Sequence, residues 1–180
     1  MNKRKIDVAE YAGDIYRAIN KGILLNTKAD GKVNTMTIGW GTFGYNWSKP
    51  TFAVYVRDGR ATREILDKNP EFTVSIPSGN YDRKIIGYTG THSARNTDKI
   101  KDLGLTLVES DNISVPAIKE LPLTIECKVM YRQIMEIELM SNDMVTSLYP
   151  QDVPSENVGA NKDPHVMYYG EIIDAYIIED

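Results

Sequence analysis

The sequence predicts a mainly β fold, an antiparallel barrel with a few peripheral helices, on three observations. Short runs with a two-residue apolar alternation outnumber those with helical spacing. Strands and helices do not alternate regularly, which argues against the βαβ units of a parallel sheet. The 180 residues supply one domain with a full core, and no repeat, low-complexity tract or linker divides them.

The first element is a helix. Val8, Ala12, Ile15, Tyr16 and Ile19 recur at three- and four-residue intervals and share one face, and Gly22 stops the segment. Ile23–Ala29 reads as a strand, Asp30-Gly31 as a tight hairpin turn, and Val33–Trp40 as the return strand. Phe52, Val54 and Val56 alternate with Ala53 and Tyr55 in another strand. Thr62–Lys68 is a short helix closed before Pro70, and Phe72–Ile76 is a strand ended by Pro77-Ser78-Gly79. Tyr81–Leu103 has helical character that Gly87 and Gly90 are expected to break. Leu121–Tyr131 and Met135–Met140 read as the arms of a long hairpin. The segment 149–164, rich in Pro, Asn and Asp, reads as a loop, and Val166–Ile178 as the last strand.

Composition removes several function classes. The net charge is −4 with Lys and Arg scattered, unlike the basic face of a nucleic-acid protein. Apolar runs such as Ile23–Leu25 fall far short of the roughly 20 residues that span a bilayer. The basic start Met1–Lys5 leads into Ile6-Asp7-Val8-Ala9-Glu10 rather than an apolar signal segment, so a cytoplasmic location is expected. Cys127 is the lone cysteine, which excludes an intrachain disulfide and suits a buried strand position in a reducing compartment. His92, His165 and Cys127 show no metal-ligand spacing, and neither a catalytic triad nor a carboxylate pair stands out.

Gly39-Trp40-Gly41-Thr42-Phe43-Gly44 fits G-x-G-x-x-G after a predicted strand. The dinucleotide fingerprint works because a helix begins inside it and aims its N–H groups at the pyrophosphate. Here Tyr45-Asn46-Trp47-Ser48-Lys49-Pro50 follows, without helical periodicity and with an early proline. The segment is extended, and a Rossmann reading is rejected.

Three segments in order resemble the flavin reductase family. Asn34-Thr35-Met36-Thr37-Ile38-Gly39-Trp40 is similar to its N-x-M-T-x-x-W strand, and Val56–Thr62 to its V-R-x-x-R-x-T turn. Thr89–Lys99 is similar to its G-x-x-S-G-R-D-x-D-K-F stretch, with lesser echoes at Pro116–Lys128 and at His165 with Gly170-Glu171-Ile172. The resemblance implies a Greek-key-like split β-barrel that binds FMN, with NAD(P)H as electron donor. It also implies a homodimer with the flavin near the subunit boundary.

Arg57, Arg60 and Thr62 lie within six positions at a strand end and a helix opening. They read either as a solvated turn or as a cradle for a phosphate, which carries about −1.5 to −2 charge at neutral pH and favours a helix N-terminus. Asn34, Thr35, Met36 and Thr37 are either ordinary strand alternation or polar contacts that orient a flat ring, and Trp40 either core or ring packing. The resemblance places Ser93 and Arg95 near the flavin or its phosphate tail, and His165 either there or capping the last strand. Ala94 stands where the family has Gly, and Asn96 where it has an acid. If that glycine takes positive φ, Ala94 strains the loop by about 1 kcal/mol or more.

The function implied is NAD(P)H-dependent flavin reduction, in which the flavin supplies the hard chemistry and no catalytic side chain is assigned. A flavoredoxin-like electron carrier with a redox protein partner would need the same cradle. A pyridoxamine-phosphate-oxidase-like enzyme would need a different basic site for which no distinct motif is present, and a barrel without cofactor is the fourth reading.

Overall fold

Asp7 opens the first helical segment by accepting the Ala9 N–H at 2.9 Å, as an N-cap side chain does. In the computed structural model, which describes residues 2–179, this segment follows β1 (Asn2–Lys5) and leads through a 3-10 turn into α1 (Ala12–Ile19). Met1 of the basic N-terminal run and Asp180 lie outside the described residues. Gly22, at φ +100°, turns the chain into β2 (Ile23–Ala29), a conformation strained for any other residue. Asp30 and Gly31 take φ of 51° and 75°, the left-handed pair that a two-residue hairpin needs, and β3 (Lys32–Ile38) returns.

From Gly41 onward the G-x-G-x-x-G segment is a strand, β4 (Gly41–Asn46), paired with β5 (Lys49–Arg57) from Gly41↔Val54 to Asn46↔Lys49. Gly41 serves packing, because a Cβ there would sit 3.2 Å from the Phe52 ring. After α2 (Ala61–Lys68) and β6 (Glu71–Ile76) come α3 (Arg83–Thr91), α4 (Lys99–Leu103) and the short pair β7 (Leu107–Val108) and β8 (Ala117–Ile118). The chain closes with β9 (Leu123–Ile134), α5 (Asn142–Leu148) and β10 (His165–Glu179).

The main sheet is antiparallel throughout in the order β3-β2-β6-β9-β10-β5-β4, with β1 on β10. The long β10 is its spine. Its first half pairs with β5 and its last residues with β1, while β9 runs along the other side. Inward side chains from β2, β5, β6, β9 and β10 meet in one core with α1 against it, as a curled sheet requires. Ile23, Val54, Phe72, Ile125 and Cys127 are fully buried there, and burial pushes the Cys127 thiol well up. No helix among the described residues is long and apolar enough to cross a membrane.

Two sequence expectations are corrected. α3 runs unbroken through Gly87 and Gly90, because the cost of glycine in a helix, about 1 kcal/mol each, is outweighed by the packing of Ile85 and Thr89. The break falls instead between His92, which ends α3, and Asp98, which caps α4. Met135–Met140 is no hairpin arm: Ile137–Leu139 forms a 3-10 turn. The partners of β9 are β10 along its length and β6 along residues 123–128, so its hairpin mate is the distant β10 rather than the next segment.

Candidate functional site

The ends of β3, β5 and β10 converge with the start of α2 and the end of α3 around a cavity of about 180 Å³. Met36, Thr37, Trp40, Tyr55, Arg60 and His165 are among its lining residues. The β5–β10 register, His165↔Arg57, brings those strand ends together. The Trp40 and His165 rings lie 4.6 Å apart, and His165 Nδ1 shares a 2.9 Å hydrogen bond with the Tyr149 hydroxyl. Burial, then the charges of Arg57 and Arg60, push His165 down to about 3. Its imidazole is therefore neutral at physiological pH and offers a polar contact without charge.

Beside this cavity lies the start of α2. No side chain caps the helix at Arg60, so first-turn N–H groups remain to be satisfied. Thr62 Oγ1 accepts from Asn34 Nδ2 at 2.9 Å, while Asn34 Oδ1 is buried without a partner. Lys99 is buried too. Its ammonium makes a 3.5 Å contact with the Thr89 carbonyl, and among the described residues no carboxylate pairs with it. Burial, then the charge of Arg60, lower its pKa to about 8. Buried polar groups are normally satisfied and buried charges paired. A lysine and an asparagine oxygen that depart from this, beside Arg60 and an uncapped helix start, fit an anionic, hydroxyl-bearing ligand.

Arg57 is committed elsewhere. Its Nη1 donates to the carbonyls of Asn161 and Asp163 at 3.2 and 2.7 Å, and Nη2 to that of Leu148 at 2.8 Å. The guanidinium also lies 5.0 Å from the Tyr149 ring centre. It borders the cavity, but its main task is to clamp the 149–164 loop, whose Val158 forms one wall. Leaving those carbonyls unsatisfied costs about 1–3 kcal/mol each where they are buried. Arg57→Ala is therefore expected to expose this loop, seen as new protease cleavage between residues 150 and 163.

The other expected residues divide. Arg60 reaches the same loop through the carbonyls of Asn157 and Val158, both at 3.0 Å. The Thr37 hydroxyl is spent on the Ile86 carbonyl and the Thr89 hydroxyl, both at 2.7 Å, which docks α3 on β3. Gly90 permits that approach, since a Cβ would lie 3.3 Å from Thr37 Cβ. Thr35 pairs across β2 with Asn26, and its hydroxyl is buried without a partner. Ser93 Oγ accepts the Arg95 N–H at 3.3 Å and shapes the loop. Arg95 bonds the Gly59 carbonyl and Glu64 and faces a second cavity. Ala94 is not strained: among the described residues, the non-glycine residues at positive φ are Asp30, Trp47 and Ser48. Sequence reasoning missed Lys99 and Tyr149 as site residues, although Lys99 closes the third family-like segment.

Residues 16–180 match the model of the flavin reductase like domain. The chain belongs to this family. An uncharacterised protein of Archaeoglobus fulgidus is 33% identical over 99 residues, 55% of each chain. The chain thus spans about half the length of the curated relatives it matches. Flavoredoxin of Desulfovibrio vulgaris (Miyazaki F) superposes with a TM-score of 0.63 at 26% identity, covering 88% of this chain and 69% of flavoredoxin. The FMN-binding domain of a flavin reductases-like enzyme from Shewanella baltica OS155 superposes at 0.65 and 17% identity, covering 98% of this chain and 77% of that one. These neighbours carry the split-barrel fold predicted for this family member.

Proposed function

We propose that this protein holds FMN and reduces it with NAD(P)H. The observation that carries the reading is the buried Lys99 beside Arg60 at the uncapped start of α2. Those two cations, the Thr62 hydroxyl and the first-turn N–H groups would hold the phosphate. The free Asn34 Oδ1 would accept from a ribityl hydroxyl. Met36, Thr37 and Trp40 line the cavity and would orient the ring, with neutral His165 as the polar contact at its wall. When bound, the flavin accepts hydride and passes electrons onward. The residues bind, orient and shield, and no side-chain acid or base is required of them.

The cavity's 180 Å³ is below the 300–1,000 Å³ usual for a site enclosing a whole ligand, and Trp40 at its mouth is 39% exposed. Both suit a homodimer in which a second copy covers the ring. The likeness to flavoredoxin favours one second reading, an electron carrier that exchanges with a redox protein. The purified protein is expected to be yellow and to release one FMN per chain on denaturation, identified by chromatography. A colourless protein that also fails to bind added FMN removes the proposal. Stopped-flow mixing with NADH and NADPH then separates the two readings. Reduction well above the rate for free FMN supports the reductase, and an indistinguishable rate the carrier.

A further inference from the structure

The wall of the small cavity holds one hydrogen bond whose direction decides what the cavity offers a ligand. Tyr149 is buried and meets His165 Nδ1 through its hydroxyl at 2.9 Å. Burial raises Tyr149 above the ordinary tyrosine value, against the opposing charge of Arg57, so the hydroxyl keeps its proton at physiological pH. That single proton has two acceptors in reach, the imidazole nitrogen and Met135 Sδ at 3.8 Å. A thioether sulfur is a weak acceptor, whereas the unprotonated nitrogen of a neutral imidazole is a good one. The shorter contact is therefore the one the proton makes.

Arg57 biases the pair in the same direction. Its guanidinium lies 5.0 Å from the Tyr149 ring centre, and its charge acts on both partners. A nearby cation makes a phenol a better proton donor and a poorer acceptor. The guanidinium is itself fixed by the carbonyls of Leu148 and Asp163, at 2.8 and 2.7 Å. At the far edge of the imidazole, Nε2 makes no hydrogen bond among the described residues, yet it is not one of their sealed, unpartnered polar atoms. His165 lines the cavity beside Trp40, so the open nitrogen faces that space. With Nδ1 occupied as an acceptor in a neutral ring, the ring proton resides on Nε2.

We infer that Tyr149 is a positioning residue: by donating to Nδ1 it fixes His165 as the Nε2–H tautomer and makes the cavity wall a hydrogen-bond donor. The inference rests on the flavin reading above and deepens it. The edge of a flavin ring carries both carbonyl oxygens and an imide N–H. A donor at His165 selects a carbonyl oxygen and turns the imide N–H away, whereas the other tautomer would do the reverse. Tyr149 thus governs which edge group the wall accepts, although it acts only through His165.

The chain has two histidines, His92 and His165, so protein labelled with 15N-histidine gives a two-residue NMR spectrum. His165 is the signal that remains in His92→Gln, a change at an exposed position. In flavin-free wild type at pH 7, His165 is expected to be protonated at Nε2 and unprotonated at Nδ1. A protonated Nδ1 overturns the inference, whatever the variants do. Tyr149→Phe then keeps the ring and removes the hydroxyl. A hydroxyl that donates to Nδ1 stabilises the neutral imidazole, so its loss should let His165 bind a proton about tenfold more tightly, the effect of one buried hydrogen bond. Wild-type His165 titrates at about 3, and Arg57 and Arg60, the charged groups that bear on it, are the same in both proteins. The variant's His165 should therefore be about half protonated at pH 4, where the wild type's stays largely neutral. Proton binding that is weakened or unchanged in the variant means the hydroxyl accepts or merely fills space, and either result overturns the inference. Adding FMN to the labelled wild type is expected to shift the Nε2 signal. Bound FMN that leaves Nε2 unmoved removes the edge-selecting role. Failure to bind FMN at all instead overturns the flavin reading and leaves the tautomer to be judged on the pH 7 spectrum.

Discussion

Lys99→Met is expected to lower FMN affinity by about 10- to 150-fold while raising the melting temperature of the flavin-free protein. The first effect follows from losing a charge-assisted hydrogen bond to a phosphate, about 1.5–3 kcal/mol, at 1.4 kcal/mol per factor of ten. The second follows from the same residue's isolation. A buried ammonium with no carboxylate partner costs stability that an apolar side chain of similar shape does not, and Met fills that volume with little strain. A lysine that merely filled space would not move the two quantities in opposite directions.

The pH dependence carries the same signature. Lys99 titrates at about 8 in the fold against 10.5 ordinarily. Between those values the unfolded chain binds more protons than the folded one, so stability rises with pH across the window. Below about 8 the fold carries the full cost of the buried charge. Phosphate binding needs the protonated form, so FMN affinity is expected to fall as pH rises above about 8, with the break moved upward by the bound phosphate. Isothermal titration at pH 7 and pH 9.5 on wild type and Lys99→Met checks this. A wild-type affinity independent of pH, or a variant that binds FMN as tightly as wild type, removes Lys99 from the site.

Much of this architecture is legible in the sequence because local rules and tertiary demands coincide. Asp30-Gly31 is a turn for local steric reasons, and the apolar start of Ile23–Ala29 serves two cores, Ile23 and Leu25 on one face and Leu24 on the other. Strand β4 is not legible for the opposite reason. Gly41 and Gly44 weaken its pattern, and its turn puts Trp47 and Ser48 at φ of 52° and 58°, a conformation neither favours alone. Trp47 is held there by edge contacts with Tyr131 and Tyr169, at 5.7 and 5.9 Å, from strands far along the chain. The site divides the same way. Arg60 and Thr62 belong to a short segment whose residue types suit a phosphate cradle, and Asn34 to a strand segment read as polar contacts to a flat ring. Lys99 reads as a surface lysine until α3 and α4 bury it, since lysine is rarely buried. Arg57 reads as a phosphate ligand until the loop that it clamps folds back from as many as 106 positions away.

Gly170→Ala is expected to destabilise the fold by about 1–3 kcal/mol, the range for overpacking a well-filled core. Gly170 lies near the middle of β10, opposite Phe52 on β5 and next to a register shift against β9. A Cβ at this position would sit 2.7 Å from two carbons of the Phe72 ring and 2.8 Å from Cys127 Cβ. Phe72 and Cys127 are both fully buried, on strands held by the sheet on either side. Neither can retreat without opening the barrel, because interiors at crystal-like density have no slack. For a chain of this length the loss corresponds to about 2–12 °C in melting temperature. Phe72→Leu in the same background should recover part of it, since a smaller side chain admits the methyl group, and the double-mutant cycle should give a coupling of about 0.5–3 kcal/mol. FMN affinity of the folded variant should stay within twofold of wild type, because this glycine's contacts are core contacts. A melting temperature unchanged by Gly170→Ala would mean that β10 bends enough to accept the methyl group, and the barrel would be softer than its packing implies.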